Sequence, residues 1–237
     1  MCTKKGLLPK FTRLPLLVML LFNCAVYILP SRLFVTDVTR YDLTTSLDLM
    51  LPLVPFFVVF YVVFSYVQWG GSYIFHCRDS VRLCYRITMA NIISKAIFLV
   101  FYIFLPTQIV RPEVTGNGIF EWGVRLVYTI DDPVNLFPSI HCLESWMAFR
   151  GAMMLRKKNG WYITAQGICT VLVFASTVLI KQHFVIDIPA SILVCELSLF
   201  LAGRCGFWKF FKKVQTPSAK AWLKKNYPDG EGGEELI

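Results

Sequence analysis

Apolar residues run through this chain in six blocks, at roughly 14 to 30, 50 to 68, 88 to 110, 139 to 155, 161 to 180 and 184 to 203. Each block nears the ~20 residues that a helix needs to cross a bilayer, and short polar stretches separate them. The pattern predicts an all-α polytopic membrane protein. Six transmembrane helices form one bundle over 1–205, and a basic tail follows over 206–237. The fourth block is the least apolar, because it carries His141, Glu144 and Arg150. The first reads as a retained helix, since no small-residue cleavage site follows its basic start. In the tail, FWKFFKKVQTPSAKAWLKK alternates bulky apolar residues with lysines, as an interfacial helix does, and PDGEGGEELI reads as disordered.

Composition agrees with a membrane span: 56% of residues are hydrophobic and 16% charged, against about 25% charged in soluble domains. A net charge of +9 would suit nucleic acid, but the placement of the charges argues otherwise. Of the 24 Lys and Arg, 17 fall before the first block, in a loop expected at 69 to 87, at Arg156 to Lys158, and from Arg204 onward. Five fall on the opposite side. The positive-inside rule then places both termini in the cytoplasm of a multi-pass cell-membrane protein, with membrane lipids and not nucleic acid as partners. Eight cysteines occur without a Cys-x-x-Cys pair, which argues against a disulfide framework and a zinc site. No metal or other cofactor is expected.

Three polar clusters interrupt the apolar pattern: Arg111-Pro112, FPSIH at 137 to 141, and STVLIKQHFVID at 176 to 187. A charge left in hydrocarbon costs at least ~2.5 kcal/mol, so such residues must reach water, find a partner or serve a function. All three clusters fall on the same, non-cytoplasmic face, where helix packing can bring them together. At i, i+4 spacing on a helix, Asp187 can accept from one ring nitrogen of His183 and leave the other free. Thr177 and Lys181 share that spacing one turn earlier, aiming a hydroxyl and a cation at the same region. Ser139 opens the fourth helix, whose free N–H groups at Ile140 and His141 can accept an anion. Arg111 adds a planar fork suited to phosphate oxygens. These parts suit phosphoryl transfer. Deeper charges read as structural, with Lys95 expected to pair with Glu196. Glu144, a turn below His141, is placed to orient it, and His76 lies in the basic cytoplasmic stretch.

The clusters resemble the signatures of the type 2 phosphatidic acid phosphatase superfamily, in a branch similar to bacterial members and the inositol phosphorylceramide synthases. The third signature, Ser-Arg, five residues, His, three residues, Asp, is matched by Ser176, His183 and Asp187, with Thr177 in the Arg position. The second, Pro-Ser-Gly-His, reads Pro138-Ser139-Ile140-His141. The first, a Lys seven residues before Arg-Pro, keeps Arg111-Pro112 but has Phe104 in place of the Lys. The resemblance covers about 90–203. It implies a six-helix core and a metal-independent double displacement on a lipid phosphate or isoprenyl (di)phosphate. His183 would attack phosphorus, Asp187 would orient it, and His141 would protonate the leaving oxygen and then activate the acceptor. Arg111, Lys181, Ser139, Ser176 and Thr177 would hold the phosphate. Water as acceptor gives a phosphatase, and an alcohol gives a lipid phosphotransferase. A transporter with charged residues along its path is the competing reading from another class. The segment 113 to 135 is long enough for a lid, and equally suits a plain amphipathic connector.

Overall fold

The computed structural model describes residues 8–33 and 39–214, together with 217, 220, 221 and 224. Among the described residues the regular structure is helical. In chain order the helices are α1 (Arg13–Leu33), α2 (Ser46–Met50), α3 (Ser65–Asp79), α4 (Val81–Phe104), α5 (Ile119–Ile130), α6 (Ile140–Met153), α7 (Gly160–Leu179), α8 (Asp187–Arg204) and α9 (Lys209–Lys213). A 3-10 turn at Pro55–Phe57 and a π turn at Phe60–Phe64 lead into α3. Most of the tail expected to be interfacial or disordered lies outside the described residues, apart from α9.

Among the described residues, four helical stretches are long and apolar enough to cross a membrane: Lys10–Pro30, Pro55–Asp79, Val81–Phe104 and Gly160–Leu179. The other two expected crossings, α6 and α8, do not belong to that group. With 14 residues α6 is about 21 Å long, short of the ~30 Å hydrocarbon core, and α8 carries Asp187, Glu196 and Arg204. Both pack against the longer helices: α6 lies on α3, α4, α7 and α8, and α8 on α4. Several of their polar residues, among them Ser145, Asp187 and Ser191, therefore meet protein.

The main core joins Leu83, Ala90 and Phe98 of α4, Leu143 and Met147 of α6, and Cys195, Leu199 and Ala202 of α8. Lipid tails are as apolar as these side chains, so close van der Waals fit and interhelical polar bonds hold such a bundle. Small residues permit that fit. A Cβ on Gly151 would collide with the His76 ring, and one on Gly203 with the Arg86 guanidinium.

Several sequence-based expectations change here. The stretch 69 to 87 is no loop: α3 runs to Asp79, Ser80 alone turns the chain, and its hydroxyl caps α4 by accepting from the Leu83 N–H at 3.0 Å. His76 is consequently buried, at 1% exposure. Lys95 pairs with Glu144 at 2.5 Å, not with Glu196, because α4 faces α6 at that level. Asn91 donates to the same Glu144 oxygen at 2.6 Å, so that oxygen serves α4 and the structure shows no bond from Glu144 to His141. Glu196 instead takes Arg150 at 2.6 and 3.1 Å and the Trp146 indole N–H at 2.7 Å.

The segment 113 to 135 contains the amphipathic helix α5, whose Val124 packs with Val58, Tyr61 and Ile180. The Tyr128 hydroxyl donates to the Ile180 carbonyl at 2.8 Å, tying α5 to the end of α7.

Candidate active site

Helix α7 ends where the chain can no longer keep helical dihedrals, at Lys181 with φ of 55°. The tight turn that follows sends the N–H groups of both Gln182 and His183 to the Thr177 carbonyl, at 3.0 and 3.1 Å. Asp187 then opens α8. The expected His183–Asp187 pair forms, but across this turn and not along a helix face. His183 Nδ1 lies 2.8 Å from Asp187 Oδ2 and 3.1 Å from the Leu136 carbonyl. A carboxylate and a carbonyl can only accept, so Nδ1 carries the proton and Nε2 of the neutral ring keeps its lone pair.

The second histidine sits in the first turn of α6. Ser139 caps that helix, its hydroxyl accepting from the Cys142 N–H at 3.4 Å. Three further contacts fix the entry. The Tyr102 hydroxyl donates to the Pro138 carbonyl at 2.9 Å, the Ser191 hydroxyl donates to the Ser139 carbonyl at 2.9 Å, and the Thr107 hydroxyl accepts from the N–H groups of Leu136 and Phe137. The His141 ring stacks on Tyr61, with centroids 4.0 Å apart, and its centroid is 6.2 Å from that of His183. One small group can therefore touch both imidazoles. Both line a single cavity of about 570 Å³, within the usual range for ligand sites, bounded by α1, Tyr61, Tyr66, Tyr102 and the stretch from Ile130 to Leu136.

The residues expected to hold phosphate divide. Arg111 stacks over Tyr128 at 4.7 Å and donates to the carbonyls of Asp131 at 2.7 Å and Tyr128 at 3.2 Å, and to Gln182 Oε1 at 2.5 Å. Burial lowers its pKa and the nearby Asp131 opposes that. A guanidinium stays charged under such pressure. Ser139 keeps its own hydroxyl proton available beside the helix N-terminus. Lys181 is a correction: its ammonium is bound to the carbonyls of Asp48 and Leu51, both at 2.6 Å, and clamps the chain around α2. Ser176 and Thr177 are corrected too. Their hydroxyls donate to Val173 and Phe174 carbonyls in their own helix, at 2.7 and 2.8 Å, the nearest acceptors for a hydroxyl in an apolar helix.

Sequence reasoning named Arg111 but missed two other donors. The Tyr61 hydroxyl, Arg111 Nε and Gln182 Nε2 are buried and have no hydrogen-bond partner among the described residues. An unsatisfied buried donor costs about 1–3 kcal/mol, so three around one pair of histidines are notable. Tyr61 touches His141, Gln182 adjoins His183, and Arg111 is bonded to Gln182. Of the three, Tyr61 lines the cavity with both histidines. Gln182 stood inside the polar run and could have been read, whereas nothing distinguished Tyr61 within an aromatic-rich stretch. Compared with protein-family models, characterised proteins and solved structures, the chain matches none.

Proposed function

We propose that this protein is a membrane-embedded phosphatase of the type 2 phosphatidic acid phosphatase kind, acting on a lipid phosphate or isoprenyl (di)phosphate through a phosphohistidine and without a metal. The observation that carries the reading is the pairing of His141 and His183 across one cavity, 6.2 Å apart, with Asp187 holding the Nδ1 side of His183. Nε2 of His183 attacks phosphorus. As the N–P bond forms, the P–O bond to the leaving group breaks, and the departing oxygen takes a proton from His141. In the second step His141 removes a proton from water, the water oxygen attacks phosphorus, and the N–P bond breaks to regenerate the imidazole.

Negative charge gathers on the equatorial oxygens, where the Tyr61 hydroxyl and the N-terminal turn of α6 at Ile140 and His141 line the cavity and supply donors fixed beforehand. Such preorganised donors are worth about 10²–10³ each in kcat. The distribution of Lys and Arg supports termini in the cytoplasm and a site on the opposite face of a six-crossing bundle. A second reading, transfer to an alcohol acceptor, is favoured by the polar wall of Asp131, Asp132 and Asn135 in the same cavity, which suits a hydroxylated partner.

The test is phosphate release by the purified protein in detergent, with EDTA present, from a panel of lipid phosphates, comparing wild type with His183→Ala. Release that persists with EDTA and disappears in the variant is expected. Equal release by both proteins rejects the nucleophile. Release that appears only as a new phosphodiester when an alcohol is added establishes the transferase.

A further inference from the structure

The end of the bundle away from the histidines gathers guanidinium groups. Asp187 opens α8 beside His183, and Arg204 closes it 18 residues of helix later, ~27 Å away. Arg82 and Arg86 stand at i, i+4 on α4, where like charges share a helix face and repel. Arg86 also feels the charge of Arg150 on α6, and the carboxylate opposing these cations is Glu196. Glu196 is already taken by Arg150 and the Trp146 indole. Arg86 donates through Nη2 to the Leu199 carbonyl of α8 at 3.3 Å, and its guanidinium lies against Gly203. Its other N–H groups have no hydrogen-bond partner among the described residues. Arg82 is exposed and sits over the Trp208 ring at 5.7 Å, while Arg204, also exposed, sits over Phe200 at 6.0 Å. Neither has a carboxylate partner among the described residues.

The outer face of α8 leads to this cluster. Leu193, Leu197 and Phe200 are exposed, and with Arg204 they recur at i, i+4, i+7 and i+11, one stripe of the helix ~16 Å long. An apolar track that ends in a cation has the form of an acyl chain and its headgroup. We infer that the ends of α4 and α8 bind an anionic phospholipid of the leaflet away from the histidines, its phosphate held by Arg82, Arg86 and Arg204 and an acyl chain lying along Leu193, Leu197 and Phe200. Planar guanidinium forks match phosphate oxygens, and three of them without a carboxylate repel one another until an anion arrives. A zwitterionic headgroup would bring its own ammonium against them. A soluble phosphate would answer the charge and leave the apolar stripe no part in the site. This lipid site stands or falls apart from the phosphohistidine reading.

The experiment is native mass spectrometry of the full-length protein in detergent, titrated with phosphatidylglycerol or phosphatidylethanolamine of the same acyl chains. Wild type is expected to bind phosphatidylglycerol at least fivefold tighter. Arg82→Gln with Arg204→Gln changes two exposed side chains; it is expected to weaken phosphatidylglycerol at least fivefold and to leave phosphatidylethanolamine within twofold, with lipid-free melting curves reporting that the fold is kept. If that pair lowers the melting temperature, Arg204→Gln alone, at an exposed helix end, is expected to weaken phosphatidylglycerol at least twofold. Lys209→Gln with Lys213→Gln removes the same charge from exposed positions on α9 and is expected to weaken it less than twofold. Equal binding of the two lipids by wild type overturns the anionic assignment. Equal losses in the arginine and lysine variants, or no loss in the arginine variants, overturn the assigned site. Inorganic phosphate that raises the melting temperature of wild type as much as phosphatidylglycerol does overturns the lipid and gives the arginines to a soluble anion.

Discussion

Asp187→Asn tests the site most sharply, because it keeps the size of the side chain and changes only its charge and one donor. Asp187 Oδ2 lies 2.8 Å from His183 Nδ1 and the carboxylate is fully buried. Losing a charge-assisted hydrogen bond is worth about 1.5–3 kcal/mol, which at 1.36 kcal/mol per decade is a drop of roughly 10- to 150-fold in kcat. A larger fall would follow if the amide turned its NH₂ toward Nδ1 and forced the proton onto Nε2, where the attacking lone pair must be. The Leu136 carbonyl, 3.1 Å from Nδ1, resists that exchange. The expected loss is therefore near 10²-fold, well below the ~10⁴-fold of a wrong-tautomer dyad. The assay is steady-state turnover in detergent, with acid-quenched trapping of the phosphorylated protein to follow the first step alone. Slower formation of phosphoprotein at similar KM is expected, with thermal unfolding reporting that the fold is kept. A change in kcat below threefold, with phosphoprotein forming at the wild-type rate, would refute the orienting role.

Other substitutions separate catalysis from architecture. Tyr61→Phe removes only the unpartnered hydroxyl, and an about 10²- to 10³-fold lower kcat with an equal or higher melting temperature is expected if it meets a phosphate oxygen. Lys181→Met leaves two carbonyls to water at a partly exposed position; the melting curve should show at most ~1 kcal/mol of destabilisation and kcat should stay within about threefold, a much larger fall restoring Lys181 to the phosphate. Glu144→Gln strands the fully buried Lys95, so about 3–5 kcal/mol should be lost in thermal or denaturant unfolding. Pairing Glu144→Leu with Lys95→Met should recover most of it. Gly151→Ala drives a methyl into the His76 ring and should cost about 1–3 kcal/mol by the same measurement, with His76→Ala relieving it.

What could be read from the sequence was what a periodic or local signal encodes. Apolar blocks near 20 residues yield helices, and the pairing of His183 with Asp187 follows from a spacing of four even though a turn, not a helix, closes it. The partner of Lys95 could not be read, because it depends on how α4 is rotated against α6. Hydropathy leaves that angle open, and Glu144 and Glu196 are equally plausible carboxylates from composition alone. Lys181 fails for a similar reason: its positive φ turns the side chain toward Asp48 and Leu51, more than 100 residues earlier in the chain. The corner at Ser80 was hidden because the polar residues around it, Gln68, Ser72 and His76, face other helices and look in sequence like a solvated loop.

The two signature cations are missing at positions where the structure gives them no part beside the histidines. Phe104, in the position where the resembled family has Lys, is 78% exposed on the outside of α4, so a lysine there would not face the histidines. Thr177, in the Arg position, spends its hydroxyl on its own helix. If Phe104→Lys and Thr177→Arg together accelerated turnover of phosphatidic acid, these positions would reach the phosphate after all, and this reasoning would fail.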